Sequence, residues 1–246
     1  MQVTSFIKSY DEIYRFEPSA SGLSLGVIGK SANSVDYSLD LRLARVAEKE
    51  IIEKLTGVRK KNILMMDQMH GDAILPVNVT PEEESPGEPE ADGLMTPLHG
   101  ICLVIRSADC VPVFIYDREL RILGAVHSGW RGTRLSIARK LAQSMKESYS
   151  SEYQNMLAWI LPSVGPESYE VGKEVAILFP RDISERNGRL YLDLWQNIER
   201  SLKEEGVPAE NIVNPCISTL VRRSEFFSYR GGDSGRNLNF GYIGVV

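Results

Sequence analysis

Two of the chain's three histidines and one of its three cysteines stand in short segments rich in small and polar residues. These are Gln68-Met69-His70-Gly71-Asp72, Ser107-Ala108-Asp109-Cys110 and His127-Ser128-Gly129-Trp130-Arg131-Gly132. A histidine or cysteine serving only as core sits inside an apolar run; here each one ends such a run. A His, Cys, His set gives a zinc ion three protein ligands and leaves a fourth position for water or substrate, the pattern of a catalytic site.

The elements that must position two of the three are local. Residues 111–116 and 121–126 are short, β-branched and apolar, and they flank the polar turn Asp117-Arg118-Glu119-Leu120, which predicts an antiparallel hairpin. A loop centred between Arg118 and Glu119 pairs residues outward until Cys110 faces His127, with Cβ atoms about 5 Å apart on one face. A one-residue slip would turn one of the two away. The loop lacks the glycine that would fix its type, and Pro112 must stand where no ladder hydrogen bond is asked of it. His70 follows the apolar run 63–66, and nothing local brings it to the hairpin.

The residues after His127 point to an anion. Gly129 and Gly132 admit a sharp turn with positive φ, and Thr133 is the expected N-cap. Leu135, Ala138, Leu141, Ala142 and Met145 then recur at helical spacing. Arg131 thereby lies beside a helix N-terminus, where free N–H groups and a bidentate guanidinium favour phosphate or carboxylate. Arg131 and Gly132 are the expected phosphate contacts. Asp109, adjoining Cys110, is read as orienting a ligand or acting as acid/base, with turn formation as its alternative. Gln68 is read either as a substrate contact or as satisfying backbone. Cys110, Asp109 and Arg131 make up the expected catalytic set. His99 lies outside any motif, Cys102 sits in an apolar run and reads as core, and Cys216 reads equally as core or pocket wall.

Taken together, the segments around His70, Cys110 and His127 closely resemble the laccase-domain family. Its members are called multicopper polyphenol oxidase-like proteins, purine nucleoside phosphorylases of that family, or peptidoglycan editing factors. The motifs that carry the resemblance include Ala108-Asp109-Cys110-Val111-Pro112 and the run from His127 to Thr133. Further matches are Ser21-Gly22-Leu23-Ser24-Leu25-Gly26, Gly165-Pro166-Glu167-Ser168-Tyr169-Glu170-Val171-Gly172, Asp193-Leu194-Trp195, Phe226-Phe227-Ser228-Tyr229-Arg230 and Gly235-Arg236, so the resemblance covers nearly the whole chain. It implies a catalytic zinc on His70, Cys110 and His127. It also implies phosphorolysis of adenosine, inosine, guanosine and methylthioadenosine, and deamination of adenosine, with a purine nucleoside and phosphate as the small-molecule partners. The chain departs from the family pattern at Ser24 (usually Asn), Ser128 (usually Ala) and Glu167 and Ser168 (often Cys). No ligand is lost, and substrate preference is what such changes touch.

Three other readings use the same residues. In a hydrolase, Cys110 attacks with His127 as its base, trimming a wrongly incorporated amino acid from a cell-wall peptidoglycan precursor. A copper-dependent phenol oxidase would use one thiolate and two imidazoles as copper ligands, but three histidines are too few for a multicopper centre. A structural zinc in a non-enzymatic protein needs a fourth ligand, which these motifs do not offer.

The chain's 246 residues suffice for a substantial core. A net charge of −5 and a pI of 5.4 argue against a nucleic-acid surface. Residues 1–10 carry no apolar leader segment, no run approaches the ~20 apolar residues of a membrane span, and three scattered cysteines make no disulfide framework. A cytoplasmic protein is expected, without a membrane partner. The sequence carries no reading of oligomeric state.

A helix is predicted over 36–55, with Leu39, Leu43, Ala47, Ile51 and Leu55 on one face and Gly57 as its stop. Strands are predicted at 63–66, 73–79, 101–106 and 157–161, with late strands at 212–213 and 226–227. Residues 169–178 read as helical, and 190–194 lead into a helix ending near Glu205. The Pro/Glu-rich stretch 81–92 reads as a solvated loop, with a lid over the site as the alternative. Interleaved helices and strands with hairpins, no repeat and no linker predict one α+β domain over 1–246, with mixed β-sheets flanked by helices.

Overall fold

The computed structural model describes residues 6–8, 13–16, 22–38, 40–82 and 87–244. Among them, strands form two six-stranded sheets and one of three strands. The first sheet runs β1 (Phe6–Lys8), β2 (Tyr14–Phe16), β3 (Leu23–Ile28), β15 (Asn237–Ile243), β7 (Cys102–Ser107), β4 (Ile63–Leu64). The second runs β14 (Ile212–Val213), β10 (Met156–Ile160), β8 (Val111–Asp117), β9 (Ile122–Ser128), β6 (Gly93–Thr96), β5 (Ile74–Pro76). The third is β11 (Glu170–Val171), β13 (Arg189–Leu192), β12 (Ile183–Arg186). Both large sheets are mixed, as predicted: β4–β7, β5–β6 and β10–β14 are parallel and their other pairings antiparallel.

Strand alternation sets the layers. In β8, Phe114 and Tyr116 meet Leu25, Leu103 and Ile105 of the first sheet. Val111, Val113 and Ile115 turn the other way, onto α3 (Ile137–Tyr149) and α5 (Leu194–Glu205). Across the first sheet's outer face, Val104, Leu238 and Phe240 pack on Ile52 of α1 (Leu41–Thr56). The order is therefore helix, sheet, sheet, helices, completed by two short helices, α2 (Trp130–Arg134) and α4 (Lys173–Ala176). No helix among the described residues is long and apolar enough to cross a membrane.

Several boundaries differ from the sequence prediction for identifiable reasons. The first helix begins at Leu41, not at residue 36, because the Asp36 carboxylate accepts from the Ser38 N–H and hydroxyl and turns the chain before Asp40 caps the helix. Gly57 ends it in the left-handed region, φ 75°, as predicted. Its buried face is Ala44, Glu48 and Ile52, while Leu43 is 57% exposed. Glu48 is drawn in by Arg106 at 2.6 Å, which apolar periodicity does not register; Leu39 lies outside the described residues. Residues 169–178 are not a helix: Val171 pairs with Leu190 in β11–β13, and only Lys173–Ala176 coils. Phe226 and Phe227 form no strand, because their N–H groups are spent on the Arg222 carbonyl and the Asn237 side chain. The predicted strands at 63–66 and 73–79 shorten to Ile63–Leu64 and Ile74–Pro76.

The chain crosses from the first sheet to the second twice in the half that matters here: between β4 and β5, and between β7 and β8. His70 rides on the first crossing and Cys110 on the second.

Candidate metal centre

His70, Cys110 and His127 come together with their ligand atoms all within 4.8 Å of one another. The imidazole centroids lie 4.8 Å apart at 80°. His127 is buried, Cys110 half-buried and His70 exposed, so the group opens to solvent on one side. Two imidazoles and a thiol at this separation can hold one metal ion, whose bonds run about 2.0–2.3 Å.

The hairpin that presents two of them has a different register from the predicted one. Val111 pairs with Ser128, Pro112 with His127 and Asp117 with Ile122. The loop centre lies one residue further along because Asp117 accepts from the N–H groups of Glu119 and Leu120, and Arg121 takes the left-handed conformation, φ 56°. Cys110 is therefore diagonal to His127, not opposite it. Pairing has shifted by two residues in total, which restores the same face, so the cluster survives. Pro112 fits because its carbonyl accepts from Leu161 at 2.9 Å while the His127 N–H turns to the Asp92 carbonyl at 2.8 Å.

Gly129 and Gly132 do not adopt positive φ as expected; their value is space. A β-carbon on Gly129 would lie 2.9 Å from Sγ of Cys110, and one on Gly132 would lie 3.2 Å from the His127 carbonyl and 3.3 Å from that of Gly71. Nor is Thr133 an N-cap: α2 starts directly after Gly129, and the buried Thr133 hydroxyl is 2.8 Å from that of Ser128. A second helix follows after Ser136, burying Ile137 where Leu135 was predicted, which is 42% exposed. Arg131 thus sits in the single turn of a five-residue helix, exposed, its guanidinium 4.6 Å over the Trp130 ring.

The sequence reading missed Asp92, the last residue of the stretch predicted to be a solvated loop. It is 1% exposed, its Oδ1 is 2.8 Å from Nδ1 of His127, and its carboxylate accepts from the N–H groups of Met69, His70 and Gly71. Burial by itself would raise its pKa; the hydrogen bonds from His127 and from the Gly71 and His70 N–H groups prevail and hold it below the usual carboxylate range. Burial likewise opposes ionisation of the Cys110 thiol, yet the charge of His127 and hydrogen bonds from both histidines pull its pKa down. His127 is pulled up against burial by Cys110 and Asp92. Earlier in the same stretch, Glu88 has a side chain only 7% exposed and pairs with Arg106 and Arg45; residues 83–86 lie outside the described residues.

Asp109, with φ 91°, accepts from the Thr219 hydroxyl and the Arg230 N–H at 2.8 Å each, fastening the segment 219–230 beside Cys110. Gln68 has both ends of its amide on the Arg106 backbone at 2.8 Å. Cys102 is core, as predicted; Cys216 is exposed and lines neither cavity described next.

Two cavities adjoin the cluster, sharing His70, Ala108, Cys110 and Tyr229 as walls. The larger, about 540 Å³, is lined by Tyr37, Leu41, Arg45, Glu48, Arg106 and Arg236. Its Arg106 is neutralised by Glu48 at 2.6 Å and Glu88 at 2.5 Å, and Arg45 by Asp67 at 2.8 Å. The smaller, about 290 Å³, is lined by Trp130, Arg131, Val164, Tyr169, Leu194 and Arg230. Arg131 and Arg230 rest 4.6 Å over the rings of Trp130 and Tyr169, and among the described residues neither pairs with a carboxylate. Arg230 enters the sequence analysis only within the Phe226–Arg230 motif of the resemblance, with no role, because nothing local in the sequence places it near Arg131.

Residues 16–244 match the family described as multi-copper polyphenol oxidoreductase laccase, and the chain belongs to that family. It is 32% identical to a purine nucleoside phosphorylase of Aquifex aeolicus over 202 residues, 82% of this chain and 88% of that one. It is 27% identical to adenosine deaminase RL5 of an unknown prokaryotic organism over 97% of each chain. A purine nucleoside phosphorylase of Bacteroides thetaiotaomicron is 36% identical over 159 residues, 60% of this chain and only 59% of that protein's length. In fold, the chain is similar to YlmD from Geobacillus stearothermophilus (TM-score 0.88, 23% identity, 100% of both chains). It is also similar to the Bacillus licheniformis protein YfiH (TM-score 0.84, 24% identity, 98% and 99% of the two chains).

Proposed function

We propose that this chain, acting as one domain over residues 1–246 in the cytoplasm, is a zinc-dependent purine nucleoside phosphorylase that also deaminates adenosine. Adenosine, inosine, guanosine and methylthioadenosine are its substrates. The observation that carries the reading is the pair of cavities meeting at a His-Cys-His group, one of them offering two arginines free of carboxylates. The enzyme names of the relatives support it, and three free cysteines suit a reducing compartment.

His70, Cys110 and His127 would hold the zinc, with the open side left for reactants. Bound there, zinc supplies the Lewis acidity that activates water at neutral pH. The chain's own residues do the rest. Arg131 and Arg230 grip phosphate from the smaller cavity and aim it at the ribose carbon; a C–O bond forms as the C–N bond breaks, and the base leaves with that bond's electron pair and takes up a proton. Asp109 serves by holding the Arg230 segment. Gly132 lets α2 close on His127, and Gln68 fixes the wall of the larger cavity, where the nucleoside lies.

The test is to incubate zinc-loaded protein with adenosine, with and without phosphate, and identify products by mass spectrometry. Adenine and ribose 1-phosphate are expected only with phosphate, and inosine in either case. Absence of conversion with zinc confirmed present would overturn the proposal.

The closeness of Cys110 to His127, their ligand atoms within 4.8 Å of each other, favours a second reading, a Cys/His hydrolase acting on peptidoglycan precursors. Rapid inactivation by a thiol alkylator, blocked by substrate and not by zinc, would select it.

A further inference from the structure

Asp92 grips both histidines of the cluster. Its Oδ1 is 2.8 Å from His127 Nδ1, and its backbone carbonyl accepts the His127 N–H, also at 2.8 Å. The same carboxylate sits in a concave turn of three successive N–H groups, with Met69 and Gly71 on Oδ2 at 3.1 and 2.6 Å and His70 on Oδ1 at 3.0 Å. That concavity requires His70 in the left-handed region, φ 59°, where a non-glycine residue needs local support.

We infer that Asp92 is the positioning residue of the metal centre, one carboxylate setting both the tautomer of His127 and the backbone of His70. The inference rests on the reading that the cluster holds zinc. Three backbone N–H groups can only donate, so the buried carboxylate is a pure acceptor, and the His127 Nδ1 beside it carries the proton. Nε2 is then the nitrogen with a lone pair for the ion. An amide of the same shape cannot do this. With an N–H donor on every approach to the two oxygens, the NH₂ of an asparagine would face a donor whichever way it turned, or would reverse the His127 tautomer.

The test compares wild type with Asp92→Asn. Zinc affinity is measured by competition with a chromogenic chelator, and the absorption bands of the cobalt-loaded proteins are recorded. Affinity is expected to fall about 10–100-fold, with altered cobalt bands that a merely structural role would not produce. Equal affinity and an unchanged cobalt spectrum would overturn the inference. Should Asp92→Asn fail to fold, nitrogen NMR of the zinc-loaded wild type decides: a proton on His127 Nδ1 with Nε2 coordinated supports the inference, and coordination through Nδ1 overturns it. Wild type that binds no zinc would instead sink the metal reading beneath it, an outcome distinct from both.

Discussion

The backbone of Gly129 passes so close to Cys110 that a β-carbon there would lie 2.9 Å from Sγ and 3.4 Å from Cδ2 of His70. Two members of the cluster are thus packed against one hydrogen. Gly129→Ala should displace both, weakening zinc binding roughly 10-fold or more, while apoprotein unfolding shifts by about 1–3 kcal/mol through overpacking. Chelator competition and urea denaturation separate the two effects. Wild-type affinity in this variant would show that the contact is relieved elsewhere.

Arg131 and Arg230 face one cavity from different elements, each resting on an aromatic ring. A hydrogen bond to a charged group contributes about 1.5–3 kcal/mol. Arg131→Ala and Arg230→Ala should therefore each raise the KM for phosphate roughly 10- to 100-fold. Phosphorolysis should suffer far more than deamination, which uses no phosphate. Equal losses in both reactions would remove the arginines from the phosphate site.

Glu48 is 2% exposed and Arg106, its partner, 14%. Breaking a buried pair strands a charge, at about 3–5 kcal/mol. Arg106 keeps Glu88 at 2.5 Å, so Glu48→Ala is expected at the low end, about 3 kcal/mol, read as a lower urea midpoint with an unchanged slope.

His70, Cys110 and His127 are distant in sequence, so the cluster exists only in the folded chain, and an ion held there would stabilise that state selectively. With zinc at 100 times its Kd, that stabilisation is about 2.7 kcal/mol. Removing zinc with a chelator should lower Tm by roughly 5–10 °C. An unchanged Tm would mean that the folded chain holds no zinc or that the unfolded chain binds it equally well.

The three residues that come together were legible because each stands at the end of an apolar run. Their shared face was legible because strand alternation repeats every two residues, so a misjudged loop centre did not move Cys110 and His127 to opposite sides. Asp92 was hidden for the opposite reason. Its stretch reads as solvated by composition, and its role arises only when β6 lies between β5 and β9 and brings it to His127 and the His70 turn. The face of the first helix was misread at Leu43 because a buried Glu48 counts as polar in any periodicity, whatever Arg106 does to hold it inside.

The crossings on which His70 and Cys110 ride are the places where the chain leaves one sheet for the other, and His127 stands at the end of a strand of the second sheet. An ion among these three would act as a clasp on one end of the sandwich. Separating the sheets at that end would release it, and withdrawing it would let that end part. Occupancy of the centre and closure of that end of the two layers would then be linked, so that a change in either would be felt in the other.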